Sequence, residues 1–77
     1  MSVSATILSL AAARGSNKTI CPSEVARMLW PDEWLNHMIE VRSAAFTLQD
    51  EGKVQISQKG EEVLNTDVKG PIRIRIL

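Results

Sequence analysis

Arg73 and Arg75 stand two residues apart in the run Ile72-Arg73-Ile74-Arg75-Ile76. In an extended chain alternate side chains share a face, so the two guanidiniums fall together while the isoleucines face the other way. A guanidinium is planar, permanently charged and suited to phosphate. With Lys59 in the Lys59-Gly60 turn, the pair makes a candidate phosphate-binding surface. The alternative is an edge strand guarded against unwanted pairing by its charge, or arginines paired with Glu61, Glu62 or Asp67.

A second candidate surface lies on the stretch from Val41 to Gly52. Val41, Ala44, Ala45 and Leu48 recur at helical spacing and form an apolar stripe. Arg42, Ser43, Phe46 and Thr47, with Gln49 beside them, fall on the other side. Arg42 suits guanine or phosphate, and Ser43, Thr47 and Gln49 can hydrogen-bond to base edges or backbone. Glu40 and Asp50 flank them and oppose phosphate, which leaves a solvated structural face as the alternative. Phe46 is expected on the exposed side. Together with Trp34 it could anchor a protein partner. Trp30 and Trp34 are read first as packing at the junction between the second and third helices.

The remaining reactive residues read as structural. Cys21, the one cysteine, excludes an internal disulfide and a multi-cysteine metal site, and a lone Cys between Ile20 and Pro22 is read as packing. His37 has no histidine or cysteine partner at ligand spacing, so no metal is expected. No phosphate-binding glycine loop or catalytic triad occurs. The chain is read as neither an enzyme nor a cofactor carrier, and no small-molecule substrate is evident.

The elements that must position these residues follow from pattern and punctuation. The chain has 77 residues and is read as one domain, 1–77. A hydrophobic content of 44% argues against disorder. The first helix runs from about Val3 to Arg14, capped by Ser2 or Ser4, with Val3, Ile7, Leu10 and Ala11 on its apolar face. Gly15 ends it. Thr19-Ile20 is a very short strand, and Pro22 opens a second helix carrying Val25, Ala26, Met28 and Leu29. Pro31 stops that helix, and a short helical turn leads into the third. Gly52 ends the third helix. Val54 and Ile56 then alternate with Lys53, Gln55 and Ser57 as a half-buried strand. Asn65-Thr66-Asp67 is read as loop, and Ile72 to Ile76 closes a two-stranded wing.

Nine basic and nine acidic side chains leave no net charge, which by itself weakens a nucleic-acid reading. Their distribution is uneven. Residues 31–52 carry Arg42 against Asp32, Glu33, Glu40, Asp50 and Glu51, a net −4. Residues 53–77 carry Lys53, Lys59, Lys69, Arg73 and Arg75 against Glu61, Glu62 and Asp67, a net +2. Phosphate contact should therefore lean on the C-terminal third. No run reaches the roughly 18 apolar residues of a membrane span, and no signal peptide is evident, so a cytoplasmic protein is expected.

Three blocks carry a family resemblance. They are Lys18-Thr19-Ile20-Cys21-Pro22-Ser23-Glu24-Val25-Ala26-Arg27, Val41-Arg42-Ser43-Ala44-Ala45, and Gln58-Lys59-Gly60 with Lys69-Gly70-Pro71-Ile72-Arg73-Ile74-Arg75. Together they resemble a family of small bacterial proteins of unknown function that is regarded as winged-helix-like. The resemblance implies the fold and brings no activity. Phe46 departs from it, because that position is usually polar or basic in the family.

The expected architecture is α+β: a winged helix-turn-helix with three helices, a short strand and a two-stranded C-terminal wing. The expected function is nucleic-acid binding, of DNA first, through Arg42, Ser43, Thr47, Lys59, Arg73 and Arg75. The alternative is a protein-interaction module on the same scaffold, using Trp34 and Phe46. A homodimer is open under either reading.

Overall fold

Helix α1, Val3–Arg14, begins where the Ser2 hydroxyl accepts a 3.0 Å bond from the Ala5 amide and so satisfies an orphan donor of the first turn. It stops at Gly15, whose φ of 97° lies outside the range most side chains tolerate. The computed structural model describes residues 2–64 and 67–77 of the chain. The loop expected at Asn65-Thr66 therefore lies outside the described residues. Helix α2, Pro22–Leu29, starts with proline where no amide is needed, and the Glu24 carboxylate accepts from the Cys21 amide at 2.7 Å.

A 3-10 turn, Trp34–His37, leads directly into helix α3, Met38–Asp50. The acidic stretch after Pro31 is thus one short turn followed by one helix. Gly52 then adopts a φ of 76°. Its amide donates to the Gln49 carbonyl at 2.9 Å, and the Lys53 amide donates to Leu48 at 3.0 Å. This pair of reversed bonds is the Schellman ending that glycine permits.

Three antiparallel strands follow: β1 Val54–Gln58, β2 Glu61–Glu62 and β3 Arg73–Ile76, in the spatial order β2-β1-β3. In the β1–β3 register Ile56 faces Ile74, Gln55 faces Arg75 and Ser57 faces Arg73. A two-stranded wing was expected. The polar Glu61-Glu62 segment adds a third, edge strand because the tight Lys59-Gly60 turn folds it back onto Ser57 and Gln58. The short strand expected at Thr19-Ile20 is a single bridge. Ile20 exchanges bonds of 2.8 and 2.9 Å with Ile74, which fastens the α1–α2 connection to the outer edge of β3. Three helices and this sheet make an α+β fold compatible with a winged-helix arrangement.

One apolar cluster lies between helices and sheet: Ile7 and Ala11 from α1, Val25 and Ala26 from α2, Val41, Ala45, Phe46 and Leu48 from α3, and Val54, Ile56, Ile72 and Ile74 from the sheet side, with Ile20. Of the apolar residues that the second helix was expected to carry, Met28 is 55% exposed. Thr6 takes an unexpected core place on α1, fully buried with its hydroxyl donating to the Ser2 carbonyl at 2.9 Å. A buried hydroxyl is tolerated there because the Ser2 carbonyl, which also accepts the Thr6 amide at 3.0 Å, has a second lone pair to receive it.

Candidate nucleic-acid interface

Arg73 and Arg75 project from the polar side of β3 and bend toward the α1–α2 turn. Arg73 donates from Nε to the Thr19 hydroxyl at 2.8 Å and from Nη2 to the Thr19 carbonyl at 3.4 Å. Arg75 donates to the Ser16 carbonyl at 3.1 Å and twice to the Gln55 side-chain oxygen, at 3.2 and 2.6 Å. Arg14 reaches the same turn from the end of α1, donating to the Thr19 carbonyl at 3.0 Å and to the Glu24 carboxylate at 2.5 Å. Three guanidiniums from opposite ends of the sequence thus converge on Ser16–Thr19, beside the exposed Lys18.

The Ile20–Ile74 bridge brings these groups together, because it lays the turn against β3. Arg14 and Lys18 are members that sequence reasoning passed over. Arg14 entered the sequence reading only as the last residue of the first helix, and nothing local announces that Arg73, far along the chain, ends at the same turn. The alternative pairing of Arg73 and Arg75 with Glu61 or Glu62 does not form among the described residues. β2 is on the far side of β1, roughly 10 Å from β3 at two strand spacings.

Burial pushes the Glu24 carboxyl up, but the Cys21 amide, the Arg14 hydrogen bond and charge, and the Arg73 charge outweigh it. The net direction is below the ordinary value, and the group is a carboxylate at neutral pH.

The residues predicted on α3 are dispersed. Arg42 is clasped to the chain segment between β2 and β3, with Nη1 on the Gly70 carbonyl and Nη2 on that of Val68, each at 2.9 Å. Gln49 is likewise internal: it donates to the Val63 carbonyl at 2.8 Å and accepts from the Ile56 amide at 2.6 Å. Ser43 and Thr47 are exposed, and the Thr47 hydroxyl bonds back to the Ser43 carbonyl at 3.2 Å. The outward stripe of α3 reads Ile39, Glu40, Ser43, Thr47 and Asp50, with no cation. Lys59 is exposed in the β1–β2 turn with a φ of 53°. It lies beyond the end of β1, past the position where Ser57 faces Arg73.

Phe46 was expected on the exposed side of α3 and is 3% exposed. The helix is covered on more than one side, by α1, by α2 and by β1, so the buried sector is wider than the Val41–Ala45 stripe suggested. Trp34 is half-buried with the Arg27 guanidinium 4.2 Å above its ring, and Trp30 stacks on His37 at 3.7 Å. Glu40 pairs with Nδ1 of His37. Both tryptophans pack against the core at the α2–α3 junction. Phe46, Ile39, Arg42 and Ser43 line a cavity of about 330 Å³.

By fold and surface this is a small α+β domain with three helices, an antiparallel sheet and a basic edge. Residues 1–77 match the family described as Protein of unknown function (DUF3253), and the chain belongs to that family. No curated protein matches the sequence.

Proposed function

We propose that this chain is a winged-helix protein that binds nucleic acid, DNA first, in the cytoplasm. The observation that carries the reading is the convergence of Arg14, Arg73 and Arg75 on the Ser16–Thr19 turn beside Lys18. Grouped cations of this kind neutralise phosphates and release counterions, which is the main source of nucleic-acid affinity. The arginines are anchored through backbone carbonyls and a hydroxyl, so little rotamer freedom remains to be lost on binding. Each guanidinium keeps N–H donors beyond those bonds. No helix among the described residues is long and apolar enough to cross a membrane.

The test is anisotropy of a labelled mixed-sequence duplex across a salt series. Four phosphate contacts imply an affinity loss on the order of a hundredfold between ~50 and ~200 mM salt. No binding at low salt sinks the proposal.

A second reading, a protein-interaction module, is favoured by a different observation. Leu35 and Ile39, one helical turn apart, are 70% and 84% exposed, and Ile39 borders the cavity that Phe46 lines. Side chains of that size left in water mark partner surfaces more often when grouped than when scattered. Under this reading Ile39→Ser lowers self-association in light scattering; a monomer before and after the change counts against it.

A further inference from the structure

The helix expected to read bases carries the wrong charge for the task. Glu40 and Asp50 stand toward the two ends of the outward stripe of α3, and the one cation in that helix, Arg42, lies off that stripe and is directed to the β2–β3 segment. Laid in a major groove, this face would bring carboxylates against both phosphate walls. The edge formed by β3 and the α1–α2 turn has the opposite character.

We propose that this edge, made by Arg14, Lys18, Arg73 and Arg75, is the contact surface, and that its ligand is the sugar-phosphate backbone of duplex DNA, held without discrimination between bases. The inference rests on the nucleic-acid reading above and specifies its surface and ligand.

Three features select the duplex backbone. Arg73 and Arg75 project from one face of one strand, about 7 Å apart along it, as a linear pair matched to successive phosphates rather than to a single small anion. Single-strand binders need aromatic platforms for unstacked bases. The aromatic residues Trp30, Trp34 and Phe46 lie instead at the α2–α3 junction and in the core. The edge offers guanidiniums anchored to backbone and an exposed ammonium, which position a duplex but do not read it.

Glu24 gives the site an internal competitor. Its carboxylate lies 2.5 Å from Arg14 and feels the charge of Arg73, so it occupies part of the field a phosphate would enter. Removing that charge frees Arg14 without touching a cation.

The experiment uses the full chain, two unrelated duplexes of equal length, and a single strand of the same length, with circular dichroism to confirm that each variant is folded. The expected results are equal affinity for the two duplexes, at least tenfold weaker binding to the single strand, and a logarithmic salt slope of roughly −3.5, the value for four phosphate contacts. Glu24→Gln tightens binding several-fold. Lys18→Glu, an exposed position, weakens it about tenfold, and Arg73→Gln with Arg75→Gln abolishes it. Ser43→Ala with Thr47→Ala leaves it unchanged. Should the paired arginine variant fail to fold, Lys18→Glu and Glu24→Gln carry the decision by themselves. Single-strand binding as tight as duplex binding overturns the inference. So does strong preference for one duplex, loss of binding with the Ser43/Thr47 change, or a folded Glu24→Gln that does not bind more tightly. Absence of binding to every probe defeats the underlying function instead, which keeps the two failures apart.

Discussion

Arg14 and Glu24 close the end of α1 onto the start of α2 through a 2.5 Å charged hydrogen bond, and the same carboxylate accepts from the amide of Cys21, the residue that caps α2. One side chain thus serves as both helix cap and inter-helix tie. The arrangement links two elements whose connecting turn also receives Arg73 and Arg75.

The Glu24 carboxyl is held below its ordinary value of 4.5, so its contribution to stability is fully present above that pH and is lost as pH falls through the folded-state value. Urea midpoints of the native chain should therefore fall on acidification below about pH 4.5 more steeply than those of Glu24→Gln. The variant should be less stable at neutral pH, and the two curves should converge in acid. Parallel curves across that window would show that the carboxylate contributes nothing.

Phe46→Ala should destabilise by about 3–5 kcal/mol, the usual cost of emptying a buried aromatic site. A chain of this length has roughly 4–12 kcal/mol in total. The variant should accordingly show a large fall in urea midpoint and a melting transition displaced well downward. A loss under about 1 kcal/mol would place Phe46 at the surface, where the sequence first put it.

Arg42→Ala should cost about 1–2 kcal/mol and loosen the segment between β2 and β3, because the Val68 and Gly70 carbonyls lose their donor. Amide exchange across residues 68–72 should quicken relative to α1. Arg42→Lys should recover little, since an ammonium cannot present the two-pronged fork that spans both carbonyls. Unchanged exchange would mean the clasp is dispensable.

Gly52→Ala should cost about 1–2 kcal/mol through backbone strain alone, as an added Cβ meets nothing within 4 Å. Gly52→Asn should cost less, since asparagine tolerates the left-handed region. Equal penalties for the two, read from urea midpoints, would point to a steric cause instead.

Much of this fold was legible because local chemistry decides local structure. Ser2, Pro22 and Gly52 set helix ends using only neighbouring backbone groups, and the alternation of Val54 with Ile56 and of Ile72 with Ile74 declares strands without reference to anything distant. The Arg73/Arg75 pair was visible for the same reason, since period two alone puts both on one face. The side chains misread, Phe46 and Gln49, sit where a helix face could turn either way, and packing from several sides settles which way it turns. Arg42 looked available until the carbonyls of Val68 and Gly70, distant in sequence, were brought to it.

The sequence by itself determined the elements, their ends and the basic character of the last strand, because capping, turn conformation and side-chain alternation act over a few residues. Only the tertiary structure decided which cations gather. Arg14 and Arg73 meet at Thr19 because the Ile20–Ile74 bridge closes a loop across most of the chain, and no local pattern encodes that contact.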